Sequence, residues 1–466
     1  MVHEIDPNHP TMTVVAELGG TKVEMIHKYC PDIDIVGINS YAGCSSIADR
    51  YVKAGGTKPY IITEFGPPGV WEWGKDAQGA VKEPNSSEKG TWYANAYKGT
   101  ISPDHPLSLG CYVFAWGSKQ EATATWYGLI MNDGATAYHT KGVDVMQEFW
   151  TGRAPDYKVP EVKSAKLDGV DPDVGAVVQP GAIVKASSNI VDPQGLHLTY
   201  KWHLYMDPQN YNTGGENQAA PPAFPSAIVK DGGPNVEVKM PRATGKYRLF
   251  LFAYNTQGGV ATANFPIKVA GDAVAQTPEE KAAEQPKSAK MPFALYNDSI
   301  DAWPYNPTGF MPAGIGTTLT LDAKCADNPH TGKTCMKISY GKSDGWGGIV
   351  WQNPDNDWGT LAGGYNLTGA KVLTFWARGA NGGEKATFGM GLLKKSGKPE
   401  QLYWDSGSAE MKDVILTKEW KRYNISVEGK DLSRIKTGFW LVTGATGGEP
   451  TTFYLDDMEY LDKPAD

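Results

Sequence analysis

Glu64 is the residue most readily tied to chemistry. The run from Lys58 to Gly74 carries a short apolar, β-prone segment that ends on this carboxylate and passes straight into a Gly/Pro-rich loop with Trp71 and Trp73. An acid at the C-terminal end of a buried strand is placed for nucleophilic or general-base work. The same pattern also serves an acid that caps a loop or pairs with a lysine, and the spacing leaves both readings open. Glu17 is a second carboxylate closing a short apolar run, Thr13 to Glu17.

The elements that would position these acids alternate. Strand signals at Thr13–Glu17, Asp34–Asn39, Tyr60–Glu64 and Cys111–Trp116 are separated by helix-prone stretches at Lys22–Tyr29, Ile47–Ala54 and Lys89–Lys98. Nearly continuous apolar strands in such alternation predict a parallel α/β sheet over residues 1–155. From Pro155 the alternation stops. Inward and outward residues then alternate between turns over 156–270, the pattern of a β-sandwich. Residues 271–290 have almost no large apolar side chains and read as a linker. Residues 291–463 read as all-β, with enough strands for a jelly roll.

The runs Asp34–Tyr41, Lys58–Gly66, Gly110–Trp116 and Tyr127–Gly134, in that order, resemble strands six to eight and the closing segment of retaining glycosidase barrels, most nearly those of glycoside hydrolase family 2. The resemblance implies hydrolysis of a β-glycosidic bond with retention, with Glu64 as nucleophile and Tyr41 hydrogen-bonded to it. It also implies Asn39, Trp71 and Trp116 as substrate-binding residues, Trp116 flooring the sugar subsite. A retaining mechanism needs a second carboxyl group about 5–5.5 Å away. No Asn-Glu pair precedes Glu64, so Glu17 is assigned to a subsite or a structural role, with substitution for the missing acid as the minority alternative. Four strand signals before Asp156 imply only the C-terminal half of a (β/α)8 barrel, with the acid upstream of Met1. An inert barrel fragment in a carbohydrate-binding protein and a transglycosylase are the rival readings.

The run Val191–Trp202 resembles PKD and cadherin-like Ig repeats, with Trp202 in the core. The strands of 291–463 resemble galactose-binding-like carbohydrate-binding modules, which implies a structural calcium held by Asp298 and Asp456; turn capping is the alternative for each. Trp346 and Trp358 lie among Gly, Asp and Asn residues, where burial is hard to arrange, and with Trp404, in the run Leu402–Asp405, are assigned to stacking on sugar rings. Trp376 and Trp440, on alternating strands, are assigned to the core.

Composition supports a carbohydrate partner. The chain has 466 residues, 54 Gly, 15 Trp, 23 Tyr and a net charge of −8, which speaks against nucleic acid or an anionic membrane. No apolar run reaches the roughly 20 residues of a membrane span. No catalytic cofactor is implied. The resemblance implies a secreted or periplasmic setting, although the first residues lack the pattern of a signal peptide. Cys30, Cys44 and Cys111 read as free thiols; Cys325 and Cys335 flank a turn-rich loop and are either bridged or free.

Overall fold

Short apolar runs separated by helix-prone segments do form a parallel sheet at the start of the chain. The computed structural model describes residues 2–208, 211, 220–231, 233–272, 275–298, 303–312, 318–398 and 401–463. These fall into two units, Met1–Ala273 and Val274–Asp466.

In the first unit, β1 (Met12–Ala16), β2 (Ile35–Asn39), β3 (Tyr60–Phe65) and β4 (Ser108–Val113) pair in parallel in that order. The helices are α1 (Val2–Ile5), α2 (Lys22–Tyr29), α3 (Ile47–Lys53) and α4 (Ser86–Ala96). Asn85 starts α4 with a capping box, its side chain accepting from the Ser87 and Glu88 amides while Glu88 reaches back to the Asn85 N–H. Val36, Ile38, Tyr60, Ile62 and Phe65 pack with Val23, Ile47, Tyr51 and Tyr93 from the helices. A hairpin of β5 (Ile130–Asp133) and β6 (Thr136–His139) and helix α5 (Lys141–Thr151) complete this layer.

The expected partial (β/α)8 barrel does not form. The four strands make an open sheet, followed by an antiparallel hairpin, and the described residues are mostly β-sandwich, with 14% helix and 40% strand. The physical reason is that βα alternation reports burial of each strand on both faces. It does not report closure, so an open parallel sheet has the same local signature.

The rest of the first unit is a sandwich. One sheet has the order β10 (Thr199–Met206), β13 (Gly245–Tyr254), β14 (Val260–Val269), β8 (Ala176–Val178); the other is β11 (Ile228–Asp231), β12 (Asn235–Lys239), β9 (Ile183–Val191), β7 (Glu161–Leu167). Trp202 is buried, stacks on Phe265 and donates its indole N–H to the Gly233 carbonyl at 2.9 Å. Arg248 ties sandwich to α/β layer. Wholly buried, it donates to Asp207 at 2.6 Å, Asn264 at 2.6 Å, the Tyr211 hydroxyl at 3.0 Å and the Val81 carbonyl at 2.7 Å. A charge without solvent is tolerable only when its donors are satisfied in this way.

The second unit is a two-sheet sandwich. Lys287–Ser288 (β15), within the stretch expected to be a linker, pairs with β21 (Tyr365–Asn366). One main sheet has the order β18 (Leu319–Cys325), β19 (Cys335–Tyr340), β27 (Thr451–Leu461), β22 (Val372–Gly379), β25 (Lys421–Ser426), with β16 (Phe293–Tyr296) beside β27. The other is β17 (Asn306–Met311), β20 (Trp346–Gln352), β26 (Thr437–Gly444), β23 (Lys385–Met390), β24 (Ala409–Ile415). Ile349, Trp351, Phe439, Leu441 and Phe388 point into the shared core. Alternation then sends Val350, Trp440, Val442 and Thr387 to the opposite face of the five-stranded sheet.

Candidate functional site

Two surfaces, one in each unit, hold part of the residues singled out by the sequence. In the first, the register sets Asn39 of β2 beside Glu64 of β3. The Tyr41 hydroxyl donates to Glu64 Oε2 at 2.9 Å, and Thr63 donates to the Asn39 side chain at 2.5 Å. Tyr41 is buried edge-on against Trp71, Phe114 and Tyr127, with centroids 5.6, 6.0 and 5.8 Å away. Burial first, and then the Glu64 carboxylate, raise its hydroxyl far above the usual tyrosine range. Tyr41 is therefore a fixed hydrogen-bond donor. Val70, Val81, Trp126 and Tyr127 pack beneath it.

Glu17 does not join this pair as an acid. It accepts from Arg50 at 2.7 Å, Ser40 at 2.5 Å and the Leu18 amide at 2.8 Å. Burial works against its ionisation, but these hydrogen bonds outweigh it and hold the carboxyl below its ordinary range. A general acid needs the opposite shift. Glu72, next to Trp71, accepts from the Ala42 and Gly69 amides at 3.0 and 2.8 Å. Both carboxylates are occupied with structure. Trp116 is 61% exposed, and its ring neighbour is Trp150 at 6.3 Å. The structure thus brings Asn39, Tyr41, Glu64 and Trp71 together, with Trp116 beside α5.

In the second unit, Trp346 opens β20, pairs with Gly444 of β26 and is 48% exposed. It lines a groove of about 230 Å³ with Thr387, Val442, Gly444 and the ion pair of Lys385 and Asp413, 3.0 Å apart. Trp358 and Trp404 sit elsewhere. The Trp358 ring lies over Gly309 beside Val350, on the outer face of the same sheet and roughly 13 Å along β20 from Trp346 at strand rise, and its loop meets that of Trp404 where the Tyr403 amide donates to the Gly359 carbonyl at 2.9 Å. Trp358 is 40% exposed. Trp404 is half-buried, and the Lys395 ammonium lies over its ring at 4.9 Å, which occupies one stacking face.

Sequence reasoning missed what holds these loops. Asp357 is buried and accepts from the Thr360 and Leu361 amides at 2.9 and 3.0 Å and from Lys436 Nζ. Asp405 accepts from the amides of Leu393, Lys436 and Thr437 at 2.7, 2.6 and 2.9 Å. Burial nonetheless raises the Asp405 carboxyl and lowers Lys436. Lys385 and Thr387 were also missed; an outward parity with Val442 across β23 and β26 was the available signal.

Asp298 and Asp456 both hold the loop of residues 330–334. Asp298 accepts from the Lys333 amide and from the Thr334 amide and hydroxyl, the last at 2.6 Å. Asp456 accepts from the amides of His330 and Asp457 at 2.9 Å each and Thr331 at 3.4 Å. Each carboxylate oxygen of the two already accepts at least one N–H or O–H, so a calcium ion would share these oxygens with the loop they hold. Among the described residues no group of three or more His, Cys, Asp or Glu could hold a metal. Neither tryptophan assigned to the core joins it: Trp440 is buried but lies on the outer face of its sheet, out of phase with the core residues Phe439 and Leu441, and Trp376 is half-buried, with His330 stacked on it at 3.8 Å.

No family model matches the sequence, and no curated protein matches it significantly. Among solved structures the chain is similar to carbohydrate-binding modules with β-sandwich folds. The family 11 module of the cellulosomal cellulase Lic26A-Cel5E of Clostridium thermocellum shares 14% identity over 38% of this chain and 99% of that one, with a TM-score of 0.25. The family 30 module of Cel9D-Cel44B from the same organism shares 18% over 38% and 100%, at 0.24. The glycoside hydrolase domain of Endo-D from Streptococcus pneumoniae shares 14% over 32% and 21%, at 0.22. Scores this low establish no common fold, so the architecture rests on the strand pairing itself, and a glycosidase barrel gains no support.

Proposed function

We propose that this chain is a carbohydrate-binding protein, with the Trp346 groove as its principal glycan surface. The observation that carries this reading is the half-exposed Trp346 indole at a glycine-lined strand end, beside the hydroxyl of Thr387 and the charges of Lys385 and Asp413. A pyranose offers an apolar face ringed by hydroxyls. It is held by an aromatic plane together with polar groups at its edge. The cleft of Asn39, Tyr41, Glu64 and Trp71 has the same ingredients in smaller measure.

Affinity electrophoresis of the full chain in gels containing glucans, mannans, xylans or galactans tests the reading. Retardation on at least one polymer is expected, with about a tenfold loss of affinity in Trp346→Ala from the lost stacking and a smaller loss in Trp71→Ala. Mobility unchanged on every polymer would sink it.

The Tyr41–Glu64 hydrogen bond favours a second reading, glycoside hydrolysis with Glu64 as nucleophile. Because Glu17 and Glu72 are both committed elsewhere, neither supplies a general acid, and the substrate suited to a test is one whose leaving group needs no protonation. Release of an aryl leaving group from an activated glycoside, abolished by Glu64→Gln, is the result this second reading requires.

A further inference from the structure

Outside both surfaces, the antiparallel ladder of β18 and β19 sets Cys325 directly opposite Cys335. Both are buried in one small cluster with Tyr454, against Trp420 and Ala380. Directly opposed residues in such a ladder have Cα atoms about 4.5–5.5 Å apart, inside the roughly 4.4–6.8 Å that a disulfide spans. The Cys335 thiol points across the ladder toward the Cys325 carbonyl, at 3.6 Å. Both side chains share one side of the pleat, so a bond between them needs rotation about Cα–Cβ and little backbone movement.

The loop between them is already held in shape. Arg378 donates to the Asp327 carbonyl at 2.7 Å, Tyr454 to the Asp327 carboxylate at 2.6 Å, and Trp420 to the Asn328 carbonyl at 3.0 Å. His330 and Thr331 bond Asp457 at 2.7 and 2.8 Å. These contacts fix both ends of the ladder where the two thiols face each other.

We infer that Cys325 and Cys335 are a site of covalent modification, a cross-strand disulfide that closes the loop of residues 326–334 when the chain folds under oxidising conditions. In the step, one cysteine thiolate attacks a sulfur of a small-molecule disulfide such as oxidised glutathione and expels one reduced glutathione. The second cysteine thiolate then attacks the protein sulfur of that mixed disulfide and expels the other. Two S–H bonds and one S–S bond are consumed, and one protein S–S bond and two reduced glutathione molecules are formed. Burial, and then the Cys325 thiol beside it, push the Cys335 thiol up to about 12, so thiolate is scarce once the strands have closed. The bond therefore forms during folding.

The test uses the full chain, reduced in urea and refolded in a mixture of reduced and oxidised glutathione, then denatured, alkylated and digested without reductant. The expected products are a linked pair of peptides carrying Cys325 and Cys335, with Cys30, Cys44 and Cys111 alkylated. A melting transition about 5 °C above that of the protein refolded with dithiothreitol is also expected, and Cys325→Ala/Cys335→Ala should lose this difference. Alkylation of all five cysteines, glutathione retained on Cys325 or Cys335, or an oxidant-dependent melting shift that survives in the double variant would each overturn the inference.

Discussion

The Glu64 cleft and the Trp346 groove use similar residue types to opposite ends. In the cleft the polar groups face one another: Tyr41 donates to Glu64, Arg50 and Ser40 hold Glu17, and backbone amides hold Glu72. Around Tyr41 the rings pack edge to face. In the groove the indole of Trp346 lies open, and the Lys385–Asp413 pair is exposed on both sides. An exposed pair is worth little to stability, about 0–1 kcal/mol, and is correspondingly cheap to redirect toward a ligand. A carboxylate beside an aromatic ring thus marks a binding surface only where its hydrogen bonds are still available.

The largest test of this contrast concerns what supports the cleft. Arg248 reaches from β13 to the Val81 carbonyl and to Tyr211, and both residues pack in the cluster under Tyr41. Arg248→Met strands Asp207 as an unpaired buried charge. It should destabilise the first unit by about 3–5 kcal/mol, with glycan retardation through the Trp346 groove preserved. Urea unfolding followed by near-UV dichroism measures the loss. A change no larger than that of an exposed ion pair, about 1 kcal/mol or less, would mean that the cleft does not depend on this anchor.

A smaller change sharpens the comparison from inside the cleft. Tyr41→Phe keeps the ring contacts and removes only the O–H that Glu64 accepts. The expected cost is about 1 kcal/mol of unfolding free energy, with binding at the groove unaltered. A null result in stability would show that solvent replaces the tyrosine donor without loss.

Much of this was legible in the sequence where local pattern and burial coincide. The helix at Lys22–Tyr29 and the strands around Asn39 and Glu64 lie where apolar runs and turn residues place them, and the Tyr41–Glu64 contact, implied by the resemblance alone, is present. Closure was not legible, because it is decided by contacts distant in sequence. The commitment of Glu17 was hidden for the same reason: Arg50, on α3, carries no local mark of its partner. Lys436 and Asp357 are 79 positions apart, and a lysine just before a strand looks like a solvated one. Trp404 was assigned to stacking with the other two, but Lys395, nine residues earlier in the chain, covers its ring.

The smallest expected effect separates the two units by pH. Asp456 is pushed up to about 6 from the ordinary 3.8 by burial, and then by the charge of Asp457, against the amides of His330, Asp457 and Thr331 that favour its ionised form. Between those two pH values the folded chain keeps a proton that the unfolded chain has released, so this group's contribution to stability falls as pH rises through the window. Glu17 has the opposite sign. Its carboxyl lies below the ordinary 4.5 in the folded chain, so its contribution is present above that value and is lost as pH falls through the lowered one. Lowering pH from about 7 to about 5 should therefore recover stability in the second unit through Asp456 while leaving the Glu17 contribution in the first largely in place. His330 and Asp457 face the same carboxylate and are present in both the native chain and Asp456→Asn, so the difference in slope between the two proteins isolates Asp456. Melting curves across this range should show a steeper gain on acidification for the native chain than for Asp456→Asn, and parallel slopes would remove Asp456 as its source.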